Sequence, residues 1–86
     1  MRRVVLSVHA EGQIAERKLD RQAVLEVVTD PEEVIPSGGR WVAQKIVYSG
    51  SGKRYLMRVV YEEREDVREV VTVYRTSKLA KYRRVQ

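Results

Sequence analysis

The sequence predicts an α+β domain, with its helices first and an antiparallel sheet after, on three observations. The apolar spacing is helical from Ser7 to the region of Pro31 and changes to a period of two at Trp41. Valine dominates the apolar residues and Phe is absent, a β-branched bias that favours strands. Turn-forming clusters, Pro36-Ser37-Gly38-Gly39 and Ser49-Gly50-Ser51-Gly52-Lys53, mark where the period changes or the chain reverses. At 86 residues the chain is one domain, spanning residues 1–86. Its core is near the lower limit for independent folding, so association with another chain, including a second copy, would add stability.

Taken in order, Val4, Val5, Leu6 and Val8 form a short strand-like run. From Ser7 a helix begins in which His9, Gln13 and Arg17 share one face at four-residue spacing, and Ile14 leads across the next turn to Leu19. Gly12 weakens that helix. Asp20 is a suitable N-cap for a second helix turning Ala23, Val24, Val27 and Val28 inward, and Pro31 ends it. Pro36 to Gly39 reads as a loop. Three strands follow, Trp41 to Ser49, Tyr55 to Glu63 and Arg68 to Arg75, joined as hairpins through the glycine-rich loop and through Arg64-Glu65-Asp66-Val67. This is a three-stranded meander covered on one face by the helices. Thr76 or Ser77 can then cap a short basic C-terminal turn or helix holding Leu79 and Tyr82.

From Met1 to Tyr74 twelve Lys and Arg balance twelve Asp and Glu. The net charge of +5 therefore falls in the last twelve residues, on Arg75, Lys78, Lys81, Arg83 and Arg84, with no acid among them. Clustered cations beside Tyr74 and Tyr82 suit a phosphodiester backbone, whose counterions they release on binding. A solvated tail that aids solubility is the plain alternative. With no cysteine and a single histidine, neither a disulfide framework nor a thiolate or multi-histidine metal site can form, and no cofactor is implied. No apolar run reaches membrane-spanning length and no signal-peptide pattern opens the chain, so a cytoplasmic protein is expected.

In the middle strand Leu56, Arg58 and Val60 share one face, and Tyr55, Met57, Val59 and Tyr61 the other. Arg58 is a permanent charge among apolar neighbours, so it must be paired, with Glu16 or Glu26 as candidates, or must line a groove. In the last strand Val70, Thr72 and Tyr74 alternate with Val71, Val73 and Arg75. In simple register Arg58, Tyr74 and the basic segment converge, and a one-residue slip would undo this. Tyr48, Tyr55 and Tyr61 read as sheet packing, Trp41 as core or interface, and His9 as a hydrogen-bonded residue at a helix start.

These residues resemble a small bacterial and archaeal family, domain of unknown function 4258, placed in the RelE/ParE-like toxin superfamily. The resemblance is carried by His9 with Glu16-Arg17, by Val24 to Pro31, by Leu56 to Tyr61, and by Val70 to Lys78 with Lys81-Tyr82. Lys18 departs from it, since the family usually has glycine between the two helices, and Gly12 is also unusual. The resemblance implies two N-terminal helices on a curved antiparallel sheet and a toxin-like protein paired with an antitoxin-like partner. One branch of the superfamily cuts messenger RNA, usually on the ribosome; another poisons DNA gyrase without cutting RNA.

For a metal-independent endoribonuclease, Arg58 is the candidate to hold charge on the phosphorus oxygens, helped by Arg75 and Lys78. Tyr74 or Tyr82 positions the hydroxyl or exchanges a proton, and His9 is the remaining acid or base. Lys81, Arg83 and Arg84 hold flanking backbone. The alternative is a basic module that binds RNA, gyrase or a partner protein without chemistry.

Overall fold

The structure, a computed structural model, describes residues 3–82, with side chains described as far as residue 80. The elements run β1 (Arg3–Leu6), α1 (Val8–Glu16), α2 (Arg21–Thr29), β2 (Glu33–Ser37), β3 (Arg40–Tyr48), β4 (Arg54–Arg64), β5 (Val67–Thr76) and the single turn α3 (Leu79–Tyr82). Ser7 ends a strand and starts a helix. Its hydroxyl accepts from the Ala10 N–H at 3.0 Å, capping α1. Val8, expected in the strand, therefore opens the helix and is exposed.

The α1–α2 junction is a Schellman turn: the Leu19 N–H donates to the Ile14 carbonyl at 2.9 Å and the Lys18 N–H to Ala15 at 3.3 Å. Lys18 holds the left-handed position with φ of 53°. Ile14 and Leu19 are both buried there, which closes the turn on the core. Asp20 caps α2 by accepting from the Gln22 N–H, and Val24, Val27 and Val28 face inward as expected.

The sheet has five strands in the order β1-β5-β4-β3-β2, and it is mixed. Two strands enlarge the expected meander. β1 lies parallel to β5, pairing Leu6 with Val70, so the helices are not first in the fold but connect β1 to β2, the two edge strands of the sheet. β2 takes in Pro36 and Ser37, which read as loop. Its Pro36 sits on an edge strand, where a missing N–H costs no ladder bond. The turn to β3 needs only Gly38 and Gly39, at φ of 56° and 81°, the left-handed pair that matches hairpin twist. The other two hairpins fall where the sequence places them.

Both helices pack on one face of the sheet. Ala10, Ile14, Leu19, Val24, Val27 and Val28 meet Ala43, Met57, Val59, Tyr61, Val70 and Val73 in one core. A bulge between Val60 and Tyr61 opposes Thr72 to Val60 but Val70 to Tyr61, so Val71 is an extra residue. Val70 and Val73 thereby reach the same face, whereas simple alternation places Val70 with Thr72 and Tyr74. The described helices include none long and apolar enough to cross a membrane.

Candidate functional site

Arg58 lies between Met57 and Val59 in β4, so it points away from the helices. Neither Glu16 nor Glu26 is bonded to it. Glu26 instead binds Lys45 Nζ at 3.0 Å, with Asp30 at 3.3 Å, because Lys45 stands opposite Met57 on the helix side. The hydrogen bond from Lys45 to Glu26 holds the Lys45 amine above its ordinary pKa. The expected ion pair between helix acid and sheet cation exists, but the pleat assigns it to a different cation.

Arg58 belongs to a polar row across four strands. Its Nε donates to Gln44 Oε1 at 3.0 Å and its Nη1 to the Tyr74 hydroxyl at 2.5 Å. Gln44 in turn donates to Glu33 Oε1 at 2.6 Å. The register sets this up directly, since Glu33, Gln44, Arg58 and Tyr74 stand opposite one another in successive strands. Gln44 is buried, so these bonds replace water for an otherwise costly group. The Arg58 guanidinium also lies 5.7 Å from the Tyr74 ring centre. The Tyr74 ring is thus fixed at both its hydroxyl and its face.

The other side of the site comes from α1. β1 pairs with β5 only as far as Val70, which leaves the rest of the β5 edge to other partners. Gln13 Oε1 accepts from the Val73 N–H at 2.8 Å, and Arg17 Nη1 donates to the Val73 carbonyl at 2.8 Å. Two side chains one helical turn apart occupy the donor and acceptor that a further strand would take. Beside this seam is a cavity of about 500 Å³ lined by Gln13, Arg17, Leu19, Thr72, Tyr74 and Arg75. Thr72 and Tyr74 enter from one face of β5 and Arg75 from the other. No acidic side chain lines it among the described residues.

The expected site residues separate into three groups. Arg58, Tyr74 and Arg75 come together, with Tyr74 and Arg75 in the cavity and Arg58 behind Tyr74. Arg75 does not share Tyr74's face; it stacks 4.4 Å from the Tyr55 ring centre, where Lys53 also sits at 5.3 Å. His9 is exposed in an adjoining groove, lined with Gly12, Gln13, Glu16 and Arg17, and makes no side-chain hydrogen bond at the helix start. Lys78 is exposed past the end of β5. The side chains of Lys81 and Tyr82, and residues Arg83 and Arg84, lie outside the described residues.

Sequence reasoning missed Gln13, Arg17 and Thr72 as site residues. The signal that could have found two of them is the stripe of His9, Gln13 and Arg17 on one helix face, since all three line the cavity or its neighbouring groove.

No curated protein and no solved structure shows a significant match to the chain. A family match covers every residue lining the cavity and stops before Lys78. The chain belongs to the family described as Domain of unknown function (DUF4258), which matches it over residues 6–75.

Proposed function

We propose that the chain is a toxin-like, metal-independent endoribonuclease, a RelE/ParE-like component of a toxin–antitoxin type system, whose phosphodiester site is the cavity between α1 and β5. The observation that carries this reading is the lining: the cavity holds Arg17, Arg75 and a fixed Tyr74, and no acid lines it among the described residues. An arginine presents five N–H donors, and the Val73 carbonyl engages only one of those on Arg17. Arg17 and Arg75 hold the non-bridging phosphate oxygens, where charge grows in the transition state. Arg58 orients Tyr74 rather than touching the phosphate.

In the reaction the 2′-oxygen attacks the adjacent phosphorus and the bond to the 5′-oxygen breaks. The products are a 2′,3′-cyclic phosphate and a 5′-hydroxyl. The 2′-proton passes to water, and Tyr74 supplies the proton taken by the 5′-oxygen. Lys78 and the basic residues beyond it hold flanking RNA, including message on the ribosome, and an acidic antitoxin-like partner would compete for the same surface.

The second reading, a basic module that binds without cutting, draws on the engagement of Arg58 in the polar row. Phosphate contacts then fall on several cations, none dominant. Induced expression in a bacterial host with primer extension on cellular messages separates the two. Growth arrest with discrete new 5′ ends, lost in Tyr74→Phe and in Arg17→Ala with Arg75→Ala, supports the nuclease. Arrest without new ends supports the binding module, and no arrest from a folded, well-expressed protein overturns the toxin reading.

A further inference from the structure

Gly12 stands in the middle of α1, where neither backbone nor packing asks for glycine. Its φ is not positive, and a Cβ added there meets no atom within 4 Å. Glycine within a helix is destabilising relative to alanine, so the fold gains nothing from it. What it does is open a groove of about 280 Å³ bounded by His9, Gly12, Gln13, Glu16 and Arg17. His9 and Glu16 stand seven residues apart on one helix face, roughly 10.5 Å along the axis. Gly12 and Gln13 form the floor between them.

Two features point to what the groove takes. It shares Gln13 and Arg17 with the cationic cavity, so a group bound in it lies next to a phosphate bound there. Its volume is just below the usual range of ligand pockets, which suits a single ring system. The second feature is Glu16. Its side chain makes no hydrogen bond or ion pair among the described residues, and neither does that of His9. A lone carboxylate beside a phosphate site repels backbone, and its chemical use is to accept from paired N–H donors. Among the bases, guanine presents two adjacent donors, N1–H and the 2-amino group, on its Watson–Crick edge. A flat, exposed imidazole at the far end offers a stacking surface.

We infer that the groove around Gly12 is a base subsite selecting guanine beside the bound phosphate, with Glu16 reading the base edge and Gly12 admitting the ring against the helix. This rests on the proposal that the neighbouring cavity binds RNA backbone. The test is fluorescence anisotropy at low salt with 2′-O-methyl hexanucleotides, which cannot be cleaved by 2′-oxygen attack: all-uridine, one guanosine in uridine, and one adenosine in uridine. The wild-type chain should prefer the guanosine oligonucleotide by about tenfold over both others, in line with one bidentate base contact. Glu16→Gln should lose that preference while holding all-uridine at least as tightly. Gly12→Ala should raise the thermal midpoint, showing an intact fold, and still lose most of the preference. Equal binding of the three oligonucleotides overturns the guanine subsite and leaves the backbone site standing. A guanosine preference that survives in both variants also overturns it. No binding of any oligonucleotide overturns the RNA-binding proposal on which it rests.

Discussion

At the scale of single residues, Arg58 shows how the pleat decides a side chain's partners. A cation in a central strand has to be satisfied, and its parity puts it on the face away from the helical acids. Its bonds to Gln44 and Tyr74 serve two other groups as well. Arg58→Ala should therefore cost about 1–3 kcal/mol in urea denaturation. Arg58→Lys should recover little, because an ammonium lacks the fork that spans both acceptors. Lys18 makes the opposite case. At φ of 53° a side chain is strained, so Lys18→Gly should raise stability by about 0.5–1 kcal/mol, the relief of strain outweighing glycine's entropy. Glu62 gives a pH test. The hydrogen bond from Arg40 Nε at 2.8 Å holds its carboxyl below the usual carboxylate range. Its contribution to stability is present above the unfolded-state pKa and lost as pH falls through the lower folded one. NMR titration should place Glu62 below an ordinary glutamate, and Arg40→Ala should raise it toward the ordinary value, with Arg64 still holding it down in part.

At the scale of elements, the seam between α1 and β5 both completes the sheet and builds the site. Gln13 and Arg17 stand in for a strand along an edge that β1 leaves uncovered. Gln13→Ala should cost about 1 kcal/mol and speed hydrogen exchange at the Val73 amide by about tenfold, while the Val59 amide in central β4 keeps its protection. Uniform acceleration at both would contradict the strand-substitute role. The helices, β3, β4, β5 and their hairpins were legible because each carries its own local pattern: Ser7 and Asp20 as caps, Pro31 as a stop, alternation in the strands. β2 was not, since Pro36 and the two glycines read as loop until an edge position and a left-handed turn accommodate them. The Val60/Tyr61 bulge was not legible either. An extra residue in one strand leaves no mark in composition, and it alone decides that Val70 joins the core.

For the whole molecule, a helical pair covers one sheet face and a hydrogen-bonded polar row crosses the other, and the β5 edge is where the two sides meet. Tyr74 brings the row to that edge, Arg17 brings the helix, and Arg75 comes from the opposite face of the strand. Part of this site was in the sequence: Arg58 and Tyr74 were expected together, and their direct register pairing bears that out as geometry. The contribution of Gln13 and Arg17 was not, because it depends on where β1 stops, a tertiary fact. The site lies at the end of a neutral body, and of the five residues that carry the charge excess Arg75 reaches it while the others follow in the chain. The measurement that bears most directly on the claim that the α1–β5 cavity is the phosphodiester site is an amide-resolved NMR titration of the full chain with a 2′-O-methyl oligonucleotide. The account predicts shift changes concentrated at Gln13, Arg17, Thr72, Val73, Tyr74 and Arg75, weakening as salt is raised. Changes confined to the terminal basic run or to the β2 edge, with the cavity amides unmoved, would contradict it.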